Sequence, residues 1–281
     1  MTRIKMKMAL GQWAVRIFLL LVTVVTLYPL LWNVYSSFKT NEEFLGDAFA
    51  LPSALQWDNY LRALEKTNIA SNFKNSIYVV VVTLLVLVLC VVPCTYCLAR
   101  HRFWGRGLMR NLYMSMIFVP ASCIMIPLFL QMNDLGLLNK LTPLAVLYAV
   151  QQAPFSIFLL IGFMAGIPHD YEEAAMIDGC GYWTILLRII VPMAKPGIAT
   201  VVMLAAMNTW NEYAVALVMV TDPEKQTLPV GVANLYETQR YATDWGALFA
   251  ALVMVLIPTA IVYIIGQKRL IQGVNVGGIK E

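Results

Sequence analysis

The sequence predicts an all-α membrane protein: six transmembrane helices and one short polar helix on the cytoplasmic side. Three observations predict it. Of 281 residues, 60% are hydrophobic and 13% charged, at a mean hydropathy of +0.70, whereas about a quarter of a soluble domain is charged. The apolar residues gather into runs of about twenty, the length a helix needs to cross some 30 Å of hydrocarbon. The basic residues gather at the ends of those runs, where they set orientation in a bilayer. With a formal charge of +4 and no basic stripe interleaved with aromatics, no nucleic-acid partner is expected.

Residues 1–16 read as a cytoplasmic N-terminus carrying Arg3, Lys5, Lys7 and Arg16. Residues 17–35 form the first span; its apolar core exceeds that of a signal peptide and no small-residue cleavage site follows, so it is retained. Residues 36–76 are an outer loop in which Trp57, Asn59 and Tyr60 open a helix. Residues 77–267 hold the remaining five spans. The first of these, 77–98, is rich in Val and would be a strand by propensity, but twenty apolar residues in lipid must satisfy their own backbone, which requires a helix.

Arg100, Arg102, Arg106 and Arg110 then make a basic cytoplasmic turn, with His101 suited to a lipid headgroup or a partner. The third span covers 112–130, with Pro120 and Pro127 as kinks. The fourth, 144–164, contains Gln151, Gln152 and Pro154, which need internal partners or a water-filled cavity; the two amides either cement the packing or line a polar route. The fifth, 197–220, carries Asn208, Asn211 and Glu212. Glu212 lies about 24 Å along from Pro196 at 1.5 Å per residue. A carboxylate within a span marks function or a specific partner, and the equal alternative is that Asn211 and Glu212 hold the bundle together. An outer loop, 221–244, leads to the last span, 245–266, with Pro258 near its middle, and residues 268–281 are a cytoplasmic tail. With both ends inside, 13 of the 20 Lys and Arg fall on inner segments.

The inner loop 166–196 contains the chain's most polar stretch, DYEEAAMIDGCGYWTILLRIIVPMAK from Asp170 to Lys195. Asp170 with Glu173 three residues on is a capping-box pattern, Gly179 suits a left-handed helix end, and a second helix from Tyr182 should stop before Pro192. Asp170, Glu172, Glu173 and Asp178 in a charge-poor chain mark a docking element in water. The spacing adds more. Glu173, Ala174 and Ala175 are followed by three residues and Gly179, then nine more, then Ile189, Ile190, Val191 and Pro192.

This resembles the EAA motif of the permease subunits of ABC importers, with Val191 standing where the motif has Leu. The likeness extends to Trp57, Asn59 and Tyr60, to Asn75 and Ser76, to the ALARHRFWGR turn, to Leu135, Gly136, Leu137 and Asn139, to the pair Trp210 and Asn211, and to the tail Gly277, Gly278 and Ile279. It implies a subunit of an ATP-driven, binding-protein-dependent importer of the maltose-like, carbohydrate-uptake group, in the cytoplasmic membrane of a prokaryote. The implied coupling helix carries Glu172, Glu173, Ala174, Ala175, Asp178 and Gly179 against an ABC ATPase dimer. The implied partners are a second, homologous permease and an extracytoplasmic solute-binding protein, the latter met by Asn234, Tyr236 and Gln239. Gln151, Gln152, Asn208, Asn211 and Glu212 are the pathway candidates, since amides, a carboxylate and aromatic rings suit sugar hydroxyls and ring faces. The substrate expected is a di- or oligosaccharide; a glycerol-phosphate or polyol carrier would read almost alike. A membrane assembly or anchoring protein that recruits a soluble partner is the alternative of a different class.

No Gly is followed by Lys, so no Walker A loop is present and ATP with its Mg belongs to the partner ATPase. His101 and His169 fit neither HExxH nor any triad, and GxSxG is absent, so no catalytic residues are expected and the chain reads as a transport subunit, not an enzyme. Cys90, Cys94 and Cys97 share a helix face, but without nearby His or carboxylate they read as small packing residues; no metal and no bound cofactor is expected.

Overall fold

The structure, a computed structural model, describes residues 2–66, 68–238 and 243–277. Every regular element among them is helical. Four helices are long and apolar enough to cross a membrane: Gln12–Ser36 within α1 (Thr2–Ser36), α4 (Ile69–Arg100), α7 (Leu141–Ala165) and Trp245–Gln267 within α14 (Trp245–Gly277). Shorter helices fill the loops: α2 (Asn41–Gly46) and α3 (Asp58–Lys66) in the first, and α13 (Leu228–Thr238) in the loop 221–244.

The third and fifth spans are not single rods. Instead of one kinked helix over 112–130, α5 (Arg106–Met116) and α6 (Ala121–Asp134) meet at Pro120, which sits outside α6 at φ −64°, ψ 135°. Proline has no N–H to give and pushes the residue before it out of the helical region, so here it breaks the helix. Pro127 is absorbed within α6. The fifth span divides into α11 (Lys195–Asn211) and α12 (Ala214–Met219), interrupted at Glu212 and Tyr213. Six crossings are compatible with these four rods and two divided segments.

Between α7 and α11 lie α8 (Asp170–Ile177), α9 (Tyr182–Ile185), a π turn (Leu186–Ile190) and α10 (Val191–Met193); the 182–193 segment meets α11 at 76°. Two local expectations are corrected. The helix runs through Pro192, because the wider π turn bonds Val191 N–H to Leu186 O and eases the usual clash of a proline ring with the carbonyl four residues back. Asp170 does not cap α8: His169 occupies the N-cap in helical conformation, its carbonyl takes the Glu172 and Glu173 amides at 2.9 and 3.1 Å, and no side chain caps the end.

Contacts divide the chain into two units. The first comprises Met1–Ile69 and Val232–Leu256. Trp32, Phe44, Phe249 and Trp245 pack there as an aromatic cluster, with centroids 5.0 to 6.0 Å apart for Trp32–Phe44, Trp32–Phe249, Phe44–Trp245 and Phe44–Phe249. The Trp57, Asn59, Tyr60 trio ties α3 to the end of α1: Trp57 lies edge-on to Phe38 at 4.9 Å, Asn59 Nδ2 donates to Ser37 O and Lys39 O, and the Tyr60 hydroxyl meets Ser37 Oγ at 2.8 Å. The Trp57 ring is otherwise exposed.

The second unit comprises Ala70–Gly231 and Ile257–Glu281. Its larger core joins Leu87, Val91, Tyr96, Leu160, Met164, Leu186 and Ile190; a smaller one joins Val79, Leu144, Tyr148, Val215 and Met219. Backbones come close where side chains are small, as helix packing in lipid requires. A Cβ on Gly197 would sit 2.5 Å from the Phe163 ring, so α7 and α11 approach at that glycine.

Candidate functional site

The polar loop 166–196 is built on Arg100. α7 ends at Ala165, and Pro168 prevents its continuation. Arg100, from the end of α4, gathers the carbonyls of the turn that follows α7: Nη1 donates to Ile167 O at 2.7 Å and to Met164 O at 3.3 Å, which also takes the Ile167 amide, and Nη2 to Pro168 O at 3.3 Å. Its Nε donates to Glu172 Oε1 at 2.8 Å. A guanidinium is suited to this by its planar fork of five donors.

This pair turns α8 so that Glu172 and Ala175, three residues apart, face inward and are buried. Tyr171, Glu173, Ala174, Met176, Ile177 and Asp178 face outward, with Ile177 86% exposed. Of the coupling candidates, then, Glu173, Ala174, Asp178 and Gly179 lie on the surface, while Glu172 and Ala175 hold the helix in place. Gly179 closes α8 at φ +80°, with Gly179 N–H to Met176 O at 3.0 Å and Cys180 N–H to Ala175 O at 2.9 Å. That six-to-one bond is a Schellman closure, as the sequence suggested. The result is a firmly seated short helix presenting acids beside exposed apolar side chains.

A second polar feature lies between α7 and α11. Tyr148 donates its hydroxyl to the Glu212 carboxylate, and Gln152 Nε2 donates to Thr209 Oγ1 at 2.8 Å. Tyr148 and Gln152 are one helical turn apart, as are Thr209 and Glu212, so antiparallel partners form a two-rung ladder. Glu212 also accepts the amides of Val215 at 2.7 Å and Ala216 at 3.1 Å. Its carboxylate thereby satisfies the first turn of α12 across the interruption. The five pathway candidates separate. Gln152 and Glu212 belong to the ladder, Asn208 is exposed, and Asn211 reaches Met207 O at 2.8 Å and Thr259 Oγ1 at 3.3 Å while also exposed. Gln151 joins no ladder, and its buried Nε2, like Gln152 Oε1, has no partner among the described residues.

The segment 221–228 is held by two asparagines and a serine. Asn75 Nδ2 donates to Glu224 O and Gln226 O at 2.9 and 3.0 Å, and Ser76 Oγ accepts the Leu228 amide at 2.8 Å. Asn139, at φ 57°, accepts the Thr221 and Asp222 amides on Oδ1 at 2.7 and 3.0 Å. The Lys225 ammonium, then the Glu224 amide, hold the Asp222 carboxyl below its ordinary range. On α13, Asn234 is half-buried and Tyr236 exposed; Gln239 lies outside the described residues.

From the sequence Arg100 read only as a charge, Thr209 only as one of the polar residues of the fifth span, and Tyr148 not at all. For Arg100 the available signal was its place at the end of an apolar run, one residue before the turn. For Tyr148 it was the four-residue spacing to Gln152.

Residues 91–276 match the family model of binding-protein-dependent transport system inner membrane components. The chain is 37% identical over 92% of its length to the diacetylchitobiose uptake system permease protein NgcG of Streptomyces coelicolor, covering 86% of that protein. It is 35% identical over 92% of its length to the multiple sugar-binding transport system permease protein MsmG of Streptococcus mutans, covering 93% of that chain. In three dimensions it matches a chain of a bacterial ABC transporter involved in import of the acidic polysaccharide alginate, with TM-score 0.79 and 28% identity over 90% of this chain and 94% of the other.

Proposed function

The chain belongs to the family of binding-protein-dependent transport system inner membrane components, and from that premise we propose that it is one permease subunit of an ATP-driven ABC importer that carries a di- or oligosaccharide across the cytoplasmic membrane. Its relatives are named for uptake of diacetylchitobiose and of multiple sugars, which is the basis for the substrate class. Both termini and the loop 166–196 lie in the cytoplasm on this reading, and the segment 221–244, with Asn234, Tyr236 and Gln239, faces a solute-binding protein outside.

The observation that carries the mechanism is α8: a two-turn helix seated by Arg100 on the ends of α4 and α7, with Glu173, Ala174 and Asp178 exposed. A partner ATPase dimer, which holds ATP and Mg, grips that surface. Because Arg100 fastens α8 to two spanning helices, a displacement of α8 moves α4 and α7 with it. A second, homologous permease completes the pathway. Asn208 and Asn211 are the polar groups on exposed surface for the sugar to meet, and unwound backbone at Glu212 and Tyr213 is tolerated within a membrane where protein or a water-filled route covers it.

The test is uptake of labelled di- and oligosaccharides into vesicles containing the whole complex, with and without ATP. Sugar accumulation that needs ATP and the binding protein is expected. Glu173→Lys should abolish ATPase docking while the chain still inserts. Normal uptake by that variant, or no ATP-dependent flux of any sugar, polyol or glycerol-phosphate, would sink the reading.

A further inference from the structure

The basic turn after α4 divides its arginines by task. Arg100 is consumed by Glu172 and three carbonyls, and Arg106 caps α4 by donating to Leu98 O at 2.8 Å and Ala99 O at 3.1 Å. Arg102 and Arg110 are exposed and make no hydrogen bond or ion pair among the described residues. No Asp or Glu occurs in the sequence between Glu65 and Asp134, so the turn has no acid of its own. Between them Trp104 is 100% exposed, with Phe103, Leu108 and Met109 exposed beside it. Gly105, at φ +84°, makes the corner that sets this tip at the head of α5.

We infer that this turn is a binding surface for anionic phospholipid: Arg102 and Arg110 take headgroup phosphates, while Trp104 and Phe103 sit at the boundary between headgroups and acyl chains. The assignment rests on the proposal that this end of α4 lies at the cytoplasmic face. Two unspent guanidiniums match phosphate geometry and charge. An indole with a polar edge and an apolar body favours the membrane interface, and basic residues there are drawn to anionic lipid. A protein partner would require acids facing the arginines and would bury the whole tip. The apolar residues instead continue directly into α5, beside the apolar end of α4, where a bilayer would lie.

The experiment uses the whole complex in nanodiscs of phosphatidylcholine containing graded phosphatidylglycerol, with native mass spectrometry counting the phosphatidylglycerol retained after release. Arg102→Gln combined with Arg110→Gln should weaken retention by roughly twenty-five-fold, about fivefold for each basic residue at a membrane surface. Arg102→Lys with Arg110→Lys should keep most of it. Trp104→Ala should weaken retention at unchanged charge. Because neither arginine has a partner among the described residues, thermal unfolding in pure phosphatidylcholine should stay at the wild-type midpoint, which separates lost lipid from lost folding. Undiminished retention in the Gln pair would overturn the inference. So would displacement of the lipid by free inorganic phosphate at equal concentration, or release of the ATPase by the same variants in detergent, which would assign the turn to a protein. A chain missing from the membrane fraction would instead count against the permease reading itself.

Discussion

Arg100 and Glu172 lie 72 residues apart in the chain and 2.8 Å apart in the fold, with side chains 1% and 8% exposed. Removing one partner of a buried pair leaves the other charged and desolvated, which costs on the order of 3–5 kcal/mol. Arg100→Met should therefore destabilise the loop strongly, and Arg100→Met with Glu172→Met should recover only part of that, because the Ile167 and Pro168 carbonyls still lose the guanidinium. Amide exchange over residues 166–180 in the reconstituted complex measures it. Full recovery in the double variant would mean the carbonyl contacts contribute nothing.

Gly179 stands at φ +80° with open space where a Cβ would go. A side chain there meets conformational strain, not a clash, of about 1–2 kcal/mol for an L-residue in the left-handed region. Gly179→Asn, which tolerates that region better, should retain more ATP-dependent uptake than Gly179→Ala, and Gly179→Pro should abolish it. Equal uptake by Asn and Ala variants would separate the turn from coupling.

Glu212 satisfies two backbone amides and the Tyr148 hydroxyl. Glu212→Ala leaves those donors without it, at roughly 1–3 kcal/mol for each buried unpaired group. Tyr148→Phe leaves the carboxylate its two amides and should cost about 1 kcal/mol. Thermal unfolding in one detergent should place the Ala variant well below the Phe variant. The reverse order would show that the interruption in the fifth span is held by something else.

In the first loop, the Ser53 hydroxyl, then the Thr40 and Ser53 amides, hold the Glu43 carboxyl down to about 2 from its ordinary 4.5. The Thr40 hydroxyl and the Glu43 side chain form a reciprocal cap on α2. A depressed carboxyl pKa adds stability that is present above the unfolded value and lost as pH falls through the folded one. Residues 40–53 should therefore loosen between about pH 4.5 and 2, read by amide exchange. Glu43→Gln should remove the pH dependence in that window, and Ser53→Ala should move its lower edge upward.

The spanning runs were legible because lipid leaves the backbone no alternative to a helix. The Gly179 corner was legible because the left-handed position selects its residue. The break at Pro120 was not, since Pro127 sits inside a continuous helix and nothing local distinguishes the two prolines. Asp170 misled because Pro168 and His169 already form the turn that starts α8. The inward roll of Glu172 depends on Arg100, and a partner so distant in the chain leaves no mark beside it. Asn75 and Ser76 were noticed as a resemblance; only the fold shows that they fasten residues 224–228.

The turn at Leu186–Ile190 holds one residue more than an α-helix would need for the same advance. A single surplus residue amounts to about 100° of rotation about the axis. Which side of the next rod looks inward is thus fixed by a count, not by any one side chain. Deleting one position there would turn the segment that follows by over a quarter turn about its own axis and, across the 76° bend, swing α11 to a new direction, carrying Thr209 away from Gln152. The alignment of this segment with the rod behind it is written in the length of the chain.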